Sequence, residues 1–201
     1  MKNFNFLIVA LVIGIGFSAC SKKNTEYYDP QKYLTLEAPV IEKYVKGIEN
    51  AVWDSTGIWY AIEEVGLTDS ADANYYEYNI NNADRIEVPF VSIKYQLRLV
   101  ADSSLVQDGT ITINKATGDG YLGNLVYGMQ LAFLPRYIED KSGELQKTVG
   151  LGILEHGLQK GSKIRLILPS PYAYGNEIRT GIPANSPLDF TIEVLEVKPP
   201  N

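Results

Sequence analysis

The sequence holds one cysteine, Cys20, and one histidine, His156, in 201 residues. A single cysteine permits no disulfide within the chain and no multi-thiolate metal site. A single histidine excludes multi-histidine metal centres. Basic residues are also in deficit, with 18 Lys and Arg against 24 Asp and Glu, a net charge of −6. A nucleic-acid binder carries a basic footprint, and this balance argues against one. Long apolar runs are scarce too. The run Leu7 to Phe17 falls short of the ~20 apolar residues that span a bilayer. What is present is a hydrophobic fraction of 45%, with 11% aromatic residues. That is too apolar for a disordered chain, and the length suits one domain with a small appendage.

The N-terminus reads as a sorting signal. Lys2, the run Leu7 to Phe17 and the small residues Ser18 and Ala19 have the build of a secretory leader. Phe17-Ser18-Ala19-Cys20 resembles a bacterial lipobox, with Phe17 in place of the usual Leu. The resemblance implies that Cys20 becomes the lipidated first residue of the mature protein. At ~0.8 kcal/mol per buried methylene, several acyl chains hold a protein at a membrane. The chain therefore divides into a signal peptide (1–19), a tether (20–36), a helical extension (37–56) and a domain (57–199). The expected location is the bacterial cell envelope, periplasm-facing or at the outer membrane, away from cytosolic ATP and NAD.

Along the mature chain, Val40, Ile41, Tyr44, Val45, Ile48 and Val52 recur at helical spacing and predict an amphipathic helix over 37–52. Pro39 suits its first turn. Ile58 to Ile62 is an apolar β-rich run. Residues 68–85 are rich in Asn, Asp and Tyr and read as a long loop. In 88–100, Ile93, Tyr95, Leu97 and Leu99 alternate with Lys94, Gln96 and Arg98, a strand with one buried and one wet face. A turn over 103–109, a short strand over 110–113 and a loop over 118–123 follow. Short helices are expected over 125–133 and 149–158. A strand over 163–168, a long loop over 169–187 and a closing strand over 188–197 complete the order. In that last strand Phe190, Ile192 and Val194 share a face. The whole is α+β with a mostly antiparallel sheet.

Several local patterns invite other chemistry. Gly118-Asp119-Gly120-Tyr121-Leu122-Gly123 matches G-x-G-x-x-G. A dinucleotide site needs that motif directly after a buried parallel strand and at a helix start, and here Lys115-Ala116-Thr117 intervene after a short strand. It reads as a loop. Gly150-Leu151-Gly152 reads as backbone at a helix entry. His156 has no G-x-S-x-G partner and reads as a solvated residue.

The stretch 161–197 contains Gly161-Ser162-Lys163, then Ala173-Tyr174-Gly175, Ile182-Pro183-Ala184-Asn185, and Leu188-Asp189-Phe190-Thr191-Ile192-Glu193-Val194. These closely resemble the C-terminal half of the FKBP-type peptidyl-prolyl cis–trans isomerases, with a slightly short loop between Gly175 and Ile182. Ile93 to Leu99 looks like the family's Val-x-Tyr-x-Gly-x-Leu strand, with Tyr95 at the Tyr position and Leu97 where Gly is usual. The family's Phe-Asp region is matched loosely: Val106 takes the Phe position and Gln107 or Asp108 the Asp position. The 37–66 stretch is similar to the N-terminal extension of lipid-anchored FKBP-like proteins of Bacteroidetes-type bacteria. The resemblance implies an antiparallel sheet of about five or six strands wrapped on a short helix, with an N-terminal helical extension.

The family's pocket-floor Trp has two candidate replacements. Counting back from Gly161 points to Leu151. The local match Val126-Tyr127-Gly128-Met129 points to Met129, and then roughly 136–155 is an insertion that extends the helix or adds a flap. The resemblance further implies that Tyr95, Tyr174 and Phe190 form the catalytic group. Val106, Asp108, Met129, Leu151, Ala173 and Ile182 would contact substrate. Phe190 and Tyr95 would be core in any β protein, whereas Tyr174 in a Pro/Gly-flanked loop is harder to explain by packing.

The chemistry that the resemblance implies is amide rotation. Its barrier is ~18–20 kcal/mol, which gives uncatalysed times of ~10–100 s. A site lowers it by binding the twisted amide better than either planar form, with no nucleophile, metal or cofactor. The implied partners are proline-containing polypeptides. Three readings stay open at this point: catalysis, binding of a polypeptide without turnover, or a structural envelope lipoprotein whose pocket is vestigial and filled by side chains.

Overall fold

The computed structural model describes residues 27–80, 85–140 and 142–200. Cys20 and the stretch read as a leader lie outside them. Two helices and eight strands follow in order: α1 (Pro30–Val45), β1 (Val52–Trp53), β2 (Trp59–Glu64), β3 (Phe90–Leu99), β4 (Leu105–Ile111), α2 (Tyr127–Phe133), β5 (Tyr137–Glu139), β6 (Leu145–Lys147), β7 (Lys163–Leu168) and β8 (Leu188–Lys198). Six strands form one antiparallel sheet in the order β1-β2-β7-β8-β3-β4. The strands β5 and β6 pair as a separate hairpin. The expected α+β architecture, an antiparallel sheet with a short helix and an N-terminal helical extension, is what forms.

Period-two alternation sorts the two faces of the sheet. On one face Ile164, Leu166 and Leu168 of β7 and Leu188, Phe190, Ile192 and Val194 of β8 join the main core, with Ile93 and Leu97 of β3. The short helix α2 covers this face and contributes Met129, Leu131, Ala132 and Phe133. Gly128 permits the contact, because a Cβ there would lie 2.5 Å from Leu168 Cδ2. On the opposite face Ile167 of β7 and Val100 pack with Ile41 and Val45 of α1.

Helix α1 begins at Pro30, seven residues before the predicted start and inside the stretch read as tether. The Asp29 side chain caps it by accepting from Gln31 N–H at 3.0 Å, and Pro30 occupies the first helical position, a favoured start. The helix also stops earlier, at Val45 rather than 52, so Val52 lies in β1 and is exposed. Pro39 consequently sits in the helix interior rather than its first turn, where it forfeits one backbone hydrogen bond. Glu37, Ile41 and Val45 form the buried stripe, whereas Val40 faces out.

Three other segments depart from expectation. Strand β4 starts at Leu105, within the predicted turn, because a hairpin turn with Ser103 at φ 63° brings it into register with β3. Its polar residues are acceptable on an edge strand. No helix forms over 149–158. Gly152 and Gly157 adopt φ +61° and +72°, and a Cβ at Gly157 would lie 2.5 Å from Phe133 O. The β5–β6 hairpin occupies the predicted insertion as a flap. The loop over 68–80 has no regular structure but is anchored by tyrosines. Gln159 holds both the N–H (2.9 Å) and the carbonyl (2.8 Å) of Tyr76, and the Tyr78 hydroxyl donates to Leu158 O at 3.2 Å.

Candidate functional site

The register of the sheet builds the floor of a cavity. Across β4, β3, β8 and β7 one row reads Gln107, Leu97, Phe190, Leu166, and the next reads Gly109, Tyr95, Ile192, Ile164. Gly109 leaves room beside Tyr95, since even a Cβ there would approach that ring to 3.8 Å. The short segment before α2 brings Asn124, Leu125 and Val126, α2 brings Met129, and the loop after β7 brings Tyr174. Together with Tyr95, Leu97, Gln107, Ile111 and Phe190 they enclose about 140 Å³. Cavities that engulf drug-sized ligands run to about 300–1,000 Å³. This one suits a single amino-acid side chain.

Phe190 is 2% exposed and forms part of the main core, whereas Tyr95 and Tyr174 are half-buried at its edge. Burial pushes the Tyr174 phenol above its usual range, against the opposing pull of Arg179. The Arg179 guanidinium lies over the Tyr174 ring, 5.4 Å from its centroid. Tyr174 is therefore a neutral hydroxyl at physiological pH, able to donate a hydrogen bond to an acceptor in the cavity.

Four predicted residues thus come together: Tyr95, Met129, Tyr174 and Phe190. Leu151 does not join them. It is 4% exposed and packs in the main core, with its N–H donating to Leu131 O at 2.9 Å. Asp108 is exposed on β4, and its neighbour Gln107 faces the cavity instead. Ile182, Val106 and Ala173 pack on the core beside the cavity without lining it. Val106 and the Ile182 loop meet closely, since a Cβ on Gly181 would be 3.0 Å from Val106 Cγ1. Leu97, Ile111, Asn124, Leu125 and Val126 were not anticipated as lining residues. Leu97 had a signal, since it stands at the family's Gly position. The others depend on how α2 docks, which leaves no local mark.

The G-x-G-x-x-G segment serves packing. Gly120 (φ +75°) accepts from Val91 N–H at 2.7 Å, and a Cβ there would lie 2.5 Å from Val91 O. His156 is exposed and meets the Tyr75 ring edge-on. Among the described residues no group of three or more His, Cys, Asp or Glu is placed to hold a metal. No helix among them is long and apolar enough to cross a membrane.

Larger cavities exist elsewhere. One of about 650 Å³ lies between the flap and the 75–78 loop, and one of about 780 Å³ lies under the C-terminal end of α1 beside Trp53 and Trp59. Size favours these, but chemistry favours the small cavity. There three aromatic side chains and a thioether converge with a free phenol donor, the combination that holds an apolar ring and a carbonyl together.

Residues 138–195 match the sequence profile of the FKBP-type peptidyl-prolyl cis-trans isomerases. That stretch of the chain is similar to an FKBP-type peptidyl-prolyl isomerase domain. The matched residues run from the flap through β7 and the Tyr174 loop into β8, and leave out Tyr95 and Met129. The FKBP-type peptidyl-prolyl cis-trans isomerase FkpA of Buchnera aphidicola is 33% identical over 126 residues, 61% of this chain and 49% of that protein. A peptidyl-prolyl cis-trans isomerase of Saccharomyces cerevisiae is 30% identical over 112 residues, 48% of this chain and 27% of that protein. The chain thus spans less than half the length of these curated relatives. Among solved structures, FkpA from Escherichia coli is 22% identical with a TM-score of 0.48, over 85% of this chain and 63% of that one.

Proposed function

We propose that the protein is a peptidyl-prolyl cis–trans isomerase acting on proline-containing segments of exported polypeptides. The convergence of Tyr95, Met129, Tyr174 and Phe190 on one small apolar cavity carries this reading. The proline ring enters the cavity and the preceding carbonyl is stripped of water. The Tyr174 hydroxyl donates to a substrate carbonyl, stabilising the twisted amide more than either planar form. The reaction moves no proton and breaks no bond, so shape and donors suffice. Acceleration of cis–trans exchange in a proline tetrapeptide by the folded protein is the expected result. No acceleration above buffer would overturn it.

A second reading, a polypeptide-binding module without turnover, is favoured by Leu97. Its side chain enters the cavity where the family pattern has glycine, leaving only about 140 Å³. Saturable binding of proline peptides with no turnover would select this reading.

The lipobox-like Cys20 supports a lipid-anchored location in the cell envelope. Expressed with its leader, the wild type should fractionate with membranes, and Cys20→Ala should shift it to the soluble exported fraction. A wild type and variant that fractionate alike would overturn the anchor.

A further inference from the structure

The loop that carries Tyr174 leaves β7 at Pro169 and opens with a single 3-10 turn, Ser170–Tyr172. Ser170 is fully buried. Its carbonyl accepts from Ala173 N–H at 2.9 Å and from Gly175 N–H at 2.8 Å, the two residues that flank Tyr174. The Gly175 carbonyl in turn accepts from Asn185 N–H at 2.8 Å. The conformation around Tyr174 is therefore organised from Ser170 outward.

Ser170 is itself held by a residue 133 positions earlier in the chain. Its N–H donates to Glu37 Oε2 at 2.6 Å and its hydroxyl to Glu37 Oε1 at 2.5 Å. Glu37 lies on α1, is 6% exposed, and no other polar group of the described residues bonds to its carboxylate. Both oxygens are thus committed to one residue of the loop. The segment leading into α1 adds a second contact, since a Cβ on Gly175 would lie 3.2 Å from the Tyr28 hydroxyl. A buried carboxylate is a costly way to attach a helix to a sheet, and an apolar side chain would do so without desolvating a charge. What the carboxylate supplies in return is two charge-assisted bonds of defined direction to one backbone amide and one hydroxyl.

We propose that Glu37 of helix α1 is a positioning residue that sets the Tyr174 loop through Ser170. This rests on the peptide-binding reading of the cavity. The helix lies outside the residues that match the family profile, so the loop that presents Tyr174 depends on a part of the chain that the profile does not cover.

Glu37→Ala, Glu37→Gln and, as a packing control, Val45→Ala, two turns further along the same buried stripe, test this in the full chain. Glu37→Ala should lower kcat/KM for a proline peptide by about tenfold through misplacement of Tyr174. It should also speed amide exchange at Ala173 and Gly175 by about tenfold or more. Glu37→Gln keeps an acceptor for the Ser170 N–H and a partner for its hydroxyl, and should restore most of both. Val45→Ala should lower the melting temperature while leaving both readouts at wild-type values. Should Glu37→Ala fail to fold, Ser170→Ala, which deletes only the hydroxyl arm, should shift both readouts in the same direction. Wild-type exchange at Ala173 and Gly175 in these variants, or a Val45→Ala that matches them, overturns the proposal. If the wild type is active and Glu37→Ala equally so, the positioning role falls and the isomerase reading stands. If the wild type shows no isomerase activity, that reading falls, and the exchange data alone judge the hold of Glu37 on the loop.

Discussion

Arg165 and Asp189 form a bidentate ion pair on the face of the sheet opposite the cavity. Arg165 Nε donates to both carboxylate oxygens, at 3.0 and 3.1 Å, and Nη2 donates to Oδ2 at 2.7 Å. Asp189 is 1% exposed and also accepts from the Tyr44 hydroxyl of α1 at 2.7 Å. The pair therefore joins β7, β8 and α1, directly behind Phe190. Asp189→Ala should cost about 2 kcal/mol in urea unfolding, below the figure for a wholly buried pair because the Arg165 side chain still reaches water. Replacing both partners together, Arg165→Met with Asp189→Leu, should recover most of that loss. A double variant less stable than Asp189→Ala would contradict it.

Tyr174 is predicted to act through its hydroxyl. Tyr174→Phe should keep the melting temperature within error, because no group of the described residues hydrogen-bonds that hydroxyl, while kcat/KM in a proline-peptide assay falls about tenfold. Unchanged kcat/KM would place the donor elsewhere.

Met129 lines the cavity, whereas Leu151 packs in the core away from it. Each is 4% exposed, and truncation to Ala should cost about 2–4 kcal/mol in either case. Only Met129→Ala should also weaken proline-peptide binding, measured by calorimetry below the unfolding transition. Equal loss of binding in Leu151→Ala would reverse the assignment.

Glu37 gives stability a pH dependence of defined sign. Burial raises its pKa above the ordinary 4.5, while the two bonds from Ser170 oppose the shift. The native state then binds the proton more tightly than the unfolded chain. Its contribution to stability is fully present below about pH 4.5 and is lost as pH rises through the raised folded value. The unfolding free energy of wild type minus that of Glu37→Gln should therefore fall as pH increases from 4 to 8. A difference that stays flat or rises would show that the two bonds from Ser170 match or outweigh the effect of burial.

The β core was legible because burial leaves a period of two in the sequence. Ile93, Tyr95 and Leu97 on β3, and Phe190, Ile192 and Val194 on β8, face the core as that period requires. The short helix α2 was legible from its local apolar pattern. The 149–158 segment has a similar apolar content, yet it folds irregularly because Gly152 and Gly157 are needed with positive φ against Arg136 and Phe133. The early start of α1 had a readable cue in Asp29-Pro30, and its early stop had one in Gly47 just past the Lys46 cap, which the helical spacing continued by Ile48 and Val52 masked.

By itself, the sequence determined the class of fold, the strands that carry Tyr95 and Phe190, and the loop that carries Tyr174. All of these follow from spacing along a few residues of chain. Tertiary structure alone decided that Met129 rather than Leu151 reaches the cavity, that Gln107 rather than Asp108 faces it, and that Leu97 narrows it. It also decided that Glu37 meets Ser170 across 133 positions. The physical reason is common to all four. Which side chains converge depends on how a helix docks on a sheet and where a strand bulges, and those are settled by packing between segments that share no sequence pattern.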